Sequence, residues 1–218
     1  MPDPNPDRAA PDQGATQGAG AEADGGSGRR VSPAGPPDRA ASPDPCRSLI
    51  RSAITSCRLG VMLVAATDRG LCRVELGDTP AEVERQAQEK LAPARLVSSD
   101  SQLLAWAALL EEHLRGIRPH LDLPLDLSAT PFQRRVWEAL RLIPYGETRT
   151  YQQLAASVGR PEAVRATARA CASNPVAVVI PCHRVVRADG AVGGYAWGSR
   201  RKTLLLEWER AQAERQPE

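Results

Sequence analysis

The same helix-start signal occurs twice in the second half of the chain and constrains its fold more than any other feature. Thr130 and Thr150 are each followed at the third position by a glutamine, Gln133 and Gln153, which is the capping-box arrangement. Each signal predicts a short helix that begins directly after its threonine. This part of the chain is therefore predicted to be mainly helical.

The second of these helices leads into a helix-turn-helix pattern. A predicted helix over residues 151–158 is followed by the turn Gly159-Arg160-Pro161 and by a further helix over 162–172. The last helix is rich in alanine, whose small side chain permits close approach to a flat surface, and Arg165 and Arg169 project from it as cationic arms. From these residues alone, contact with DNA and an ordinary packing helix with surface arginines are equally open.

The rest of the chain divides into a tail and a small mixed domain. Residues 1–45 carry many prolines and glycines and almost no large apolar side chains, so they cannot bury enough surface to offset the entropy of ordering. We predict a disordered tail, with no apolar run long enough for a signal peptide or a membrane span. Predicted strands in an antiparallel meander lie at 48–56, 59–66 and 70–76, and predicted helices at 80–91 and 100–114.

The predicted fold class is therefore α+β. A small N-terminal α/β domain with an antiparallel sheet spans residues 46–120 and is expected to be structural. A mainly helical C-terminal domain with the helix-turn-helix spans 128–213, and its last helix covers about 200–213.

Charge is distributed unevenly along the chain. The formal net charge is only +2, but residues 128–202 hold 12 Lys and Arg against 4 Asp and Glu. Such a basic block is typical of a protein that binds a polyanion, and nucleic acid is the first candidate. A solvated basic face without a partner explains the charge equally well.

The cysteines and histidines show no metal-binding pattern. No pair of cysteines has C-x-x-C spacing, and the three histidines fit no ligand spacing, so no metal site is predicted. The absence of an export signal favours the reducing cytoplasm, where free thiols persist. The five cysteines are Cys46, Cys57, Cys72, Cys171 and Cys182.

One pentapeptide, Pro-Cys-His-Arg-Val at 181–185, places a thiol beside an imidazole. It follows an apolar run, 176–180, which predicts a strand that ends at Cys182, and a hairpin over 184–195 is expected to turn at Asp189-Gly190. A thiolate is a strong nucleophile when a neighbouring base makes it available. Taken alone, a cysteine after an apolar strand is more often a buried small hydrophobe.

Seven runs together identify a family. In order and spacing, residues 130–209 closely resemble the O6-alkylguanine-DNA alkyltransferases, suicide repair proteins that move an alkyl group from guanine onto their own cysteine, and the bacterial members fit best. The matching runs are Thr-Pro-Phe-Gln-Arg-Arg-Val-Trp (130–137), Ile-Pro-Tyr-Gly-Glu-Thr (143–148), Tyr-Gln-Gln-Leu-Ala (151–155), Ala-Val-Arg-Ala (163–166), Asn-Pro-Val (174–176), Ile-Pro-Cys-His-Arg-Val-Val-Arg (180–187) and Gly-Ala-Val-Gly-Gly-Tyr (190–195).

The resemblance implies a set of catalytic roles. Cys182 is the expected nucleophile and alkyl acceptor, and His183 acts on it through a water as a base, oriented by the carboxylate of Glu209. Tyr151 donates its phenol proton toward guanine N3, and Asn174 braces the turn before the active-site segment. A nucleophile, a base and an orienting group follow the logic of hydrolytic triads. No cofactor is implied, because the thiol itself accepts the group.

The resemblance also implies how DNA is held. The O6 atom of a paired guanine is out of reach of a protein thiol, so the nucleotide must be extruded, and Arg165 is expected to take its place in the duplex. The helix is expected in the minor groove, with Arg169 as a further DNA contact and Ala163, Ala166 and Ala170 permitting close approach. The implied partner is double-stranded DNA that bears O6-alkylguanine, bound by a monomer; activity on O4-alkylthymine is left open.

The expected substrate pocket surrounds the thiol. The backbone near Val185 reads the guanine edge, and Tyr195 and Ala196 belong to a loop that walls the pocket. Trp197 stands where larger-pocket relatives carry a small residue, so it is predicted to narrow the pocket. Cys171 is expected to be an apolar wall and not a second acceptor.

Two other functions remain alternatives. One is a relative that binds lesions without repairing them, a class that carries tryptophan in place of the reactive cysteine, and Cys182 argues against it. The other is a helix-turn-helix regulator with sequence-specific major-groove binding, in which Cys182 is structural. Only the alkyltransferase adds alkyl mass to Cys182.

Overall fold

The computed structural model describes residues 50–98 and 101–215, and the predicted tail over 1–45 lies outside them. It confirms the mixed α+β class, with an N-terminal sheet and a helical C-terminal part. The strands are β1 Ile50–Cys57, β2 Gly60–Thr67, β3 Gly70–Gly77, β4 Leu96–Ser98, β5 Arg149–Thr150 and β6 Val185–Val186. The helices are α1 Pro80–Leu91, α2 Ser101–Leu114, α3 Pro131–Arg141, α4 Tyr151–Ser157, α5 Val164–Ala172 and α6 Ser199–Ala213.

The N-terminal sheet has the strand order β3-β2-β1-β4. β1, β2 and β3 pair antiparallel, so the predicted meander is confirmed. β4 was not predicted; it has three residues and joins the open edge of β1 in parallel, after the chain has crossed through α1. The N–H of Glu82 donates to the side chain of Thr79, and Pro80 opens α1 at the residue where the predicted helix begins.

Residues that follow α2 pair with the other edge of the sheet, at β3. The N–H of Val74 in β3 donates to the carbonyl of Pro175 (3.0 Å), and that of Leu71 donates to the carbonyl of Pro124 (2.8 Å). One hydrophobic cluster runs from the sheet and α2 into α3, α5 and residues 176–180, whereas α1 packs on a separate cluster. The two predicted domains therefore share a core.

Both capping boxes are confirmed. Thr130 Oγ1 accepts from the N–H of Gln133 (3.2 Å), and Gln133 Oε1 accepts from the N–H of Thr130 (2.9 Å). Thr150 and Gln153 form the same pair at 3.1 and 2.8 Å. Each box satisfies backbone donors that a helix start leaves unpaired, which is why these short helices begin where they do.

The apolar run before Cys182 is not a strand, which corrects the prediction. Val176 makes only an isolated bridge to β3, and the following residues form turns, with Val178 at a φ of 71°. Asn174 Oδ1 accepts from the N–H of Val176 (3.0 Å), and the N–H of Ile180 donates to the carbonyl of Val176 (3.3 Å). A short apolar run indicates burial but does not separate a strand from a buried turn.

The predicted hairpin over 184–195 is also wrong. A tight turn does lie around Asp189-Gly190, where the N–H of Arg187 donates to the carbonyl of Ala191 (2.9 Å). However, β6 pairs in parallel with β5 at the start of α4.

Among the described residues, no helix combines the length and apolar character needed to cross a membrane.

Candidate active site and nucleic-acid interface

Cys182 lies in a closed setting that Asn174 organises. It opens the 3₁₀ turn Cys182–Arg184 and is only 6% exposed. The side-chain amide of Asn174 donates to Cys182 Sγ (3.2 Å) and to the carbonyl of Ile180 (2.8 Å). Because Asn174 directly follows the turn that ends α5, its amide ties the helix-turn-helix to the thiol.

The thiol is protonated near neutral pH. Burial raises the pKa of Cys182 to about 11, although the hydrogen bond from Asn174 and the charge of Lys202 act in the opposite direction. The thiolate is the nucleophilic form, so this cysteine needs a group that accepts its proton before it can react.

His183 and Glu209 are brought together as the resemblance implies. His183 Nε2 lies 2.7 Å from Glu209 Oε1, and both side chains are buried. A carboxylate only accepts, so His183 Nε2 donates in this contact, and the neutral tautomer that fits it has its lone pair on Nδ1. His183 Nδ1 is buried without a protein hydrogen-bond partner. The residue that follows Cys182 thus keeps one ring nitrogen available for a further hydrogen bond.

Arg184 completes this cluster and was missed by the sequence reasoning. Its guanidinium donates to both oxygens of Glu209, from Nε at 2.8 Å and from Nη2 at 3.0 Å. Its Nη1 donates to the carbonyl of Ile143 (2.7 Å), and the N–H of Gly146 adds a bond to Glu209 (3.2 Å). Burial alone raises the pKa of Glu209, but His183 and Arg184 together hold it well below its usual range.

Lys202 is a second buried cation whose role the sequence reasoning did not find. Its side chain is fully buried, and its Nζ donates to the carbonyl of Val185, with a longer contact to that of Gly194 (3.5 Å). The ammonium also lies 5.9 Å from the ring of Tyr151. Burial lowers the pKa of Lys202.

Tyr195, a predicted pocket residue, lies between the rings of His183 and Trp197. Its ring meets that of His183 edge-on at 6.4 Å and that of Trp197 at 5.0 Å, and its buried hydroxyl has no protein partner. Val185 is fully buried and Ala196 is exposed. Tyr151 opens α4 half-buried, and burial raises the pKa of its phenol.

Trp197 has an unexpected second contact. It is 4% exposed, and its indole N–H donates to Glu75 in β3 (2.7 Å). Narrowing of the pocket by this ring remains a prediction.

Cys171 is buried, and burial raises the pKa of its thiol to about 12. In the described part of the chain, no group of His, Cys, Asp and Glu side chains is placed to hold a metal ion.

Four of the five predicted DNA contacts reach the outside of α5. Arg165 and Arg169 are exposed, and Ala163 and Ala166 are partly exposed. The structure corrects the expectation that Ala170 lies on the surface that approaches DNA. Ala170 is only 3% exposed, and its carbonyl accepts from the indole N–H of Trp137 in α3 (2.8 Å). The helical period turns Thr167, Ala170 and Cys171 toward the core, because residues three and four apart share a face.

Comparison with known proteins gives consistent matches. The family model described as 6-O-methylguanine DNA methyltransferase, DNA binding domain, matches residues 131–211. The chain is 38% identical to the inducible methylated-DNA–protein-cysteine methyltransferase of Bacillus subtilis, over 67% of this chain and 83% of that protein. It is 44% identical to the bifunctional transcriptional activator/DNA repair enzyme Ada of Escherichia coli, over 76% of this chain.

The chain spans about half the length of the Ada proteins it matches, 47% in Escherichia coli and 45% in Salmonella typhimurium. The crystal structure of the O6-methylguanine methyltransferase of Mycobacterium tuberculosis superposes with a TM-score of 0.65 at 33% identity, covering 76% of this chain and 95% of that one. The same organism's protein in complex with DNA superposes with a TM-score of 0.63 at 32% identity, covering 76% and 94%. Sequence and fold agree, and the chain belongs to the methylated-DNA–protein-cysteine methyltransferase family.

Proposed function

We propose that this protein repairs O6-alkylguanine in DNA by transferring the alkyl group irreversibly to Cys182, once per molecule. The observation that carries the proposal is the buried thiol of Cys182, bound by Asn174 and followed by His183, which is paired with Glu209. The names of the relatives support the reaction class, since they describe methyl transfer from DNA to a protein cysteine.

The first step is proton removal from the thiol. The pKa of Cys182 is about 11, so a base is required at neutral pH. His183 Nδ1 carries the free lone pair, and this nitrogen takes the thiol proton through a water. Glu209 then faces an imidazolium, which its negative charge stabilises, and Arg184 keeps the carboxylate ionised and oriented.

The second step is displacement at the alkyl carbon. The C–S bond to Cys182 forms as the bond between carbon and guanine O6 breaks, and the electron pair stays with the base. Tyr151, which burial keeps protonated, donates a proton to guanine, and the proton held by His183 returns to the phenolate. In sum, the thiol proton replaces the alkyl group on guanine. No cofactor is consumed.

The proposed DNA surface is the outside of α5. Arg165 and Arg169 project there, and the partly exposed Ala163 and Ala166 leave room for a close backbone approach. We place this helix in the minor groove, with Arg165 filling the gap left by the extruded nucleotide. The relative crystallised with DNA supports DNA as the partner. We also propose that the protein acts as a monomer in the cytoplasm, with residues 46–120 and 128–213 as its domains.

The decisive experiment is intact-mass spectrometry with peptide mapping after incubation with an O6-methylguanine duplex. We expect one added methyl group per protein, on the peptide that contains Cys182. Cys182→Ala should gain no mass and still bind the duplex, whereas the matched variant Cys171→Ala should accept one methyl group. Repair by Cys182→Ala would overturn the mechanism, and binding without added mass in the unaltered protein would favour the lesion-binding alternative.

A further inference from the structure

We infer that Glu75, in the N-terminal sheet, is a positioning residue for the alkyl transfer, acting on the pocket through Trp197 and Tyr195. The inference rests on the proposed function of the site and extends it to a part of the chain that the sequence assigns only a structural role. It starts from the buried carboxylate of Glu75, which accepts hydrogen bonds from its own N-terminal part and also from Trp197.

Glu75 is fully buried in the edge strand β3. Oε1 accepts from Arg73 (3.0 Å) and Lys90 (2.8 Å), and Oε2 accepts from Lys90 (2.9 Å) and from the indole N–H of Trp197 (2.7 Å). A buried carboxylate is costly unless it is paired and hydrogen-bonded. Arg73 and Lys90 come from the N-terminal part and neutralise the charge. The bond to Trp197 instead reaches the loop that precedes α6.

Contacts from the N-terminal part restrain that loop. Gly193 and Gly198, at φ values of 70° and 94°, flank the segment that carries Tyr195 and Trp197. Glycine adopts many backbone conformations, so the segment between them is not held by its own backbone preferences. The bond between Trp197 and Glu75 supplies a fixed point. A second one comes from Arg201, whose side chain donates to the carbonyls of Leu59 (3.0 Å) and Trp197 (3.1 Å).

The restraint reaches the reacting groups through ring contacts. The ring of Trp197 meets that of Tyr195 at 5.0 Å, and Tyr195 meets the imidazole of His183 at 6.4 Å. His183 in turn contacts Glu209. A continuous chain of packed side chains therefore links Glu75 to the proposed base. Displacement of a positioning group by about 1 Å can slow a reaction by up to about a hundred-fold.

The test compares two ways of disturbing Glu75. Glu75→Leu and Trp197→Phe both remove the bond to the loop, and we expect each to slow methyl transfer by about ten-fold or more in folded protein. The double variant should be no slower than the slower single variant, because both remove the same link. Glu75→Gln keeps a carbonyl acceptor for the indole and should recover most of the rate.

Lys90→Met is the matched control. It removes an ion pair from the same carboxylate, so it should lower the free energy of unfolding measured in urea while the transfer rate stays unchanged. A readout independent of activity is the indole N–H resonance of Trp197, identified by its loss in Trp197→Phe. We expect it to shift and to exchange faster with solvent in Glu75→Leu, and to change little in Lys90→Met.

Three results would overturn the inference: wild-type transfer rates in folded Glu75→Leu and Trp197→Phe, fully additive losses in the double variant, or an equal loss of rate in Lys90→Met. If Glu75→Leu does not fold, Trp197→Phe and Glu75→Gln still test the same bond. Failure of the proposed function is distinct, because the unaltered protein would then transfer no methyl group in the same assay.

Discussion

Two groups of charged side chains in the C-terminal part behave in opposite ways. His183, Arg184 and Glu209 are buried and bind one another, whereas Arg165 and Arg169 are exposed on α5, and neither has an ion-pair partner among the described residues. Burial forces a charge to find a fixed partner inside the protein, since an unpaired buried charge is very costly. Exposure leaves a charge available to a polyanion. In the proposed function, the first group holds the reacting atoms and the second holds DNA.

The sharpest way to break this contrast is to neutralise the centre of the buried group. Glu209→Gln removes the charge that stabilises the imidazolium and leaves Arg184 buried without its carboxylate. We expect methyl transfer to fall by more than about a hundred-fold, in line with the loss of a general-base partner, and the free energy of unfolding to fall by about 3 kcal/mol or more. Single-turnover kinetics and urea unfolding measure the two effects.

Glu207→Gln is the control for that prediction. Glu207 is exposed on the same helix, α6, and its neutralisation should change neither quantity measurably. Equal behaviour of the two variants would mean that the buried cluster does not differ from a solvated charge.

His113 is a further buried titratable side chain, and it should make the stability of the fold depend on pH. Burial lowers the pKa of His113 from 6.5 to about 4, and its Nδ1 lies 2.6 Å from the carbonyl of Arg118. Below pH 6.5 the unfolded chain takes up a proton that the folded protein does not, so stability is lost as the pH falls toward 4. The loss attributable to His113 should reach about 3 kcal/mol across this window.

His113→Asn retains a donor near the position of Nδ1 and should flatten the pH dependence of the free energy of unfolding between 6.5 and 4. His120→Asn, at an exposed histidine, should leave the dependence as it is in the unaltered protein. Identical pH profiles for all three proteins would show that His113 does not stay neutral in the fold.

The smallest expected effects concern the exposed group. Arg165→Ala should slow transfer on a duplex by about ten-fold, because the gap left by an extruded base costs a few kcal/mol to maintain, and it should change little the reaction with free O6-methylguanine. Arg169→Ala should weaken DNA binding and reduce the slope of affinity against salt by about one, without changing the ratio of the two rates. Equal losses on duplex and free base for Arg165→Ala would remove its proposed role.

Local structure was largely predictable. The capping boxes at Thr130 and Thr150 and the β1–β3 meander depend on residues close together in the chain, so the pattern alone carries the information. The run 176–180 was mispredicted because its burial is a property of the surrounding core, while its backbone bonds are completed by Asn174 and by turns.

By itself, the sequence predicted the helices of the helix-turn-helix and, through the resemblance, the pairing of His183 with Glu209. Only the tertiary structure showed which other buried polar groups meet. Arg184 binds Glu209, which lies 25 residues further along the sequence, and Trp197 binds Glu75, from which it is separated by 122 positions. No periodicity encodes such a pair, because a buried polar group takes its partner from whichever distant element the packing brings within hydrogen-bond reach.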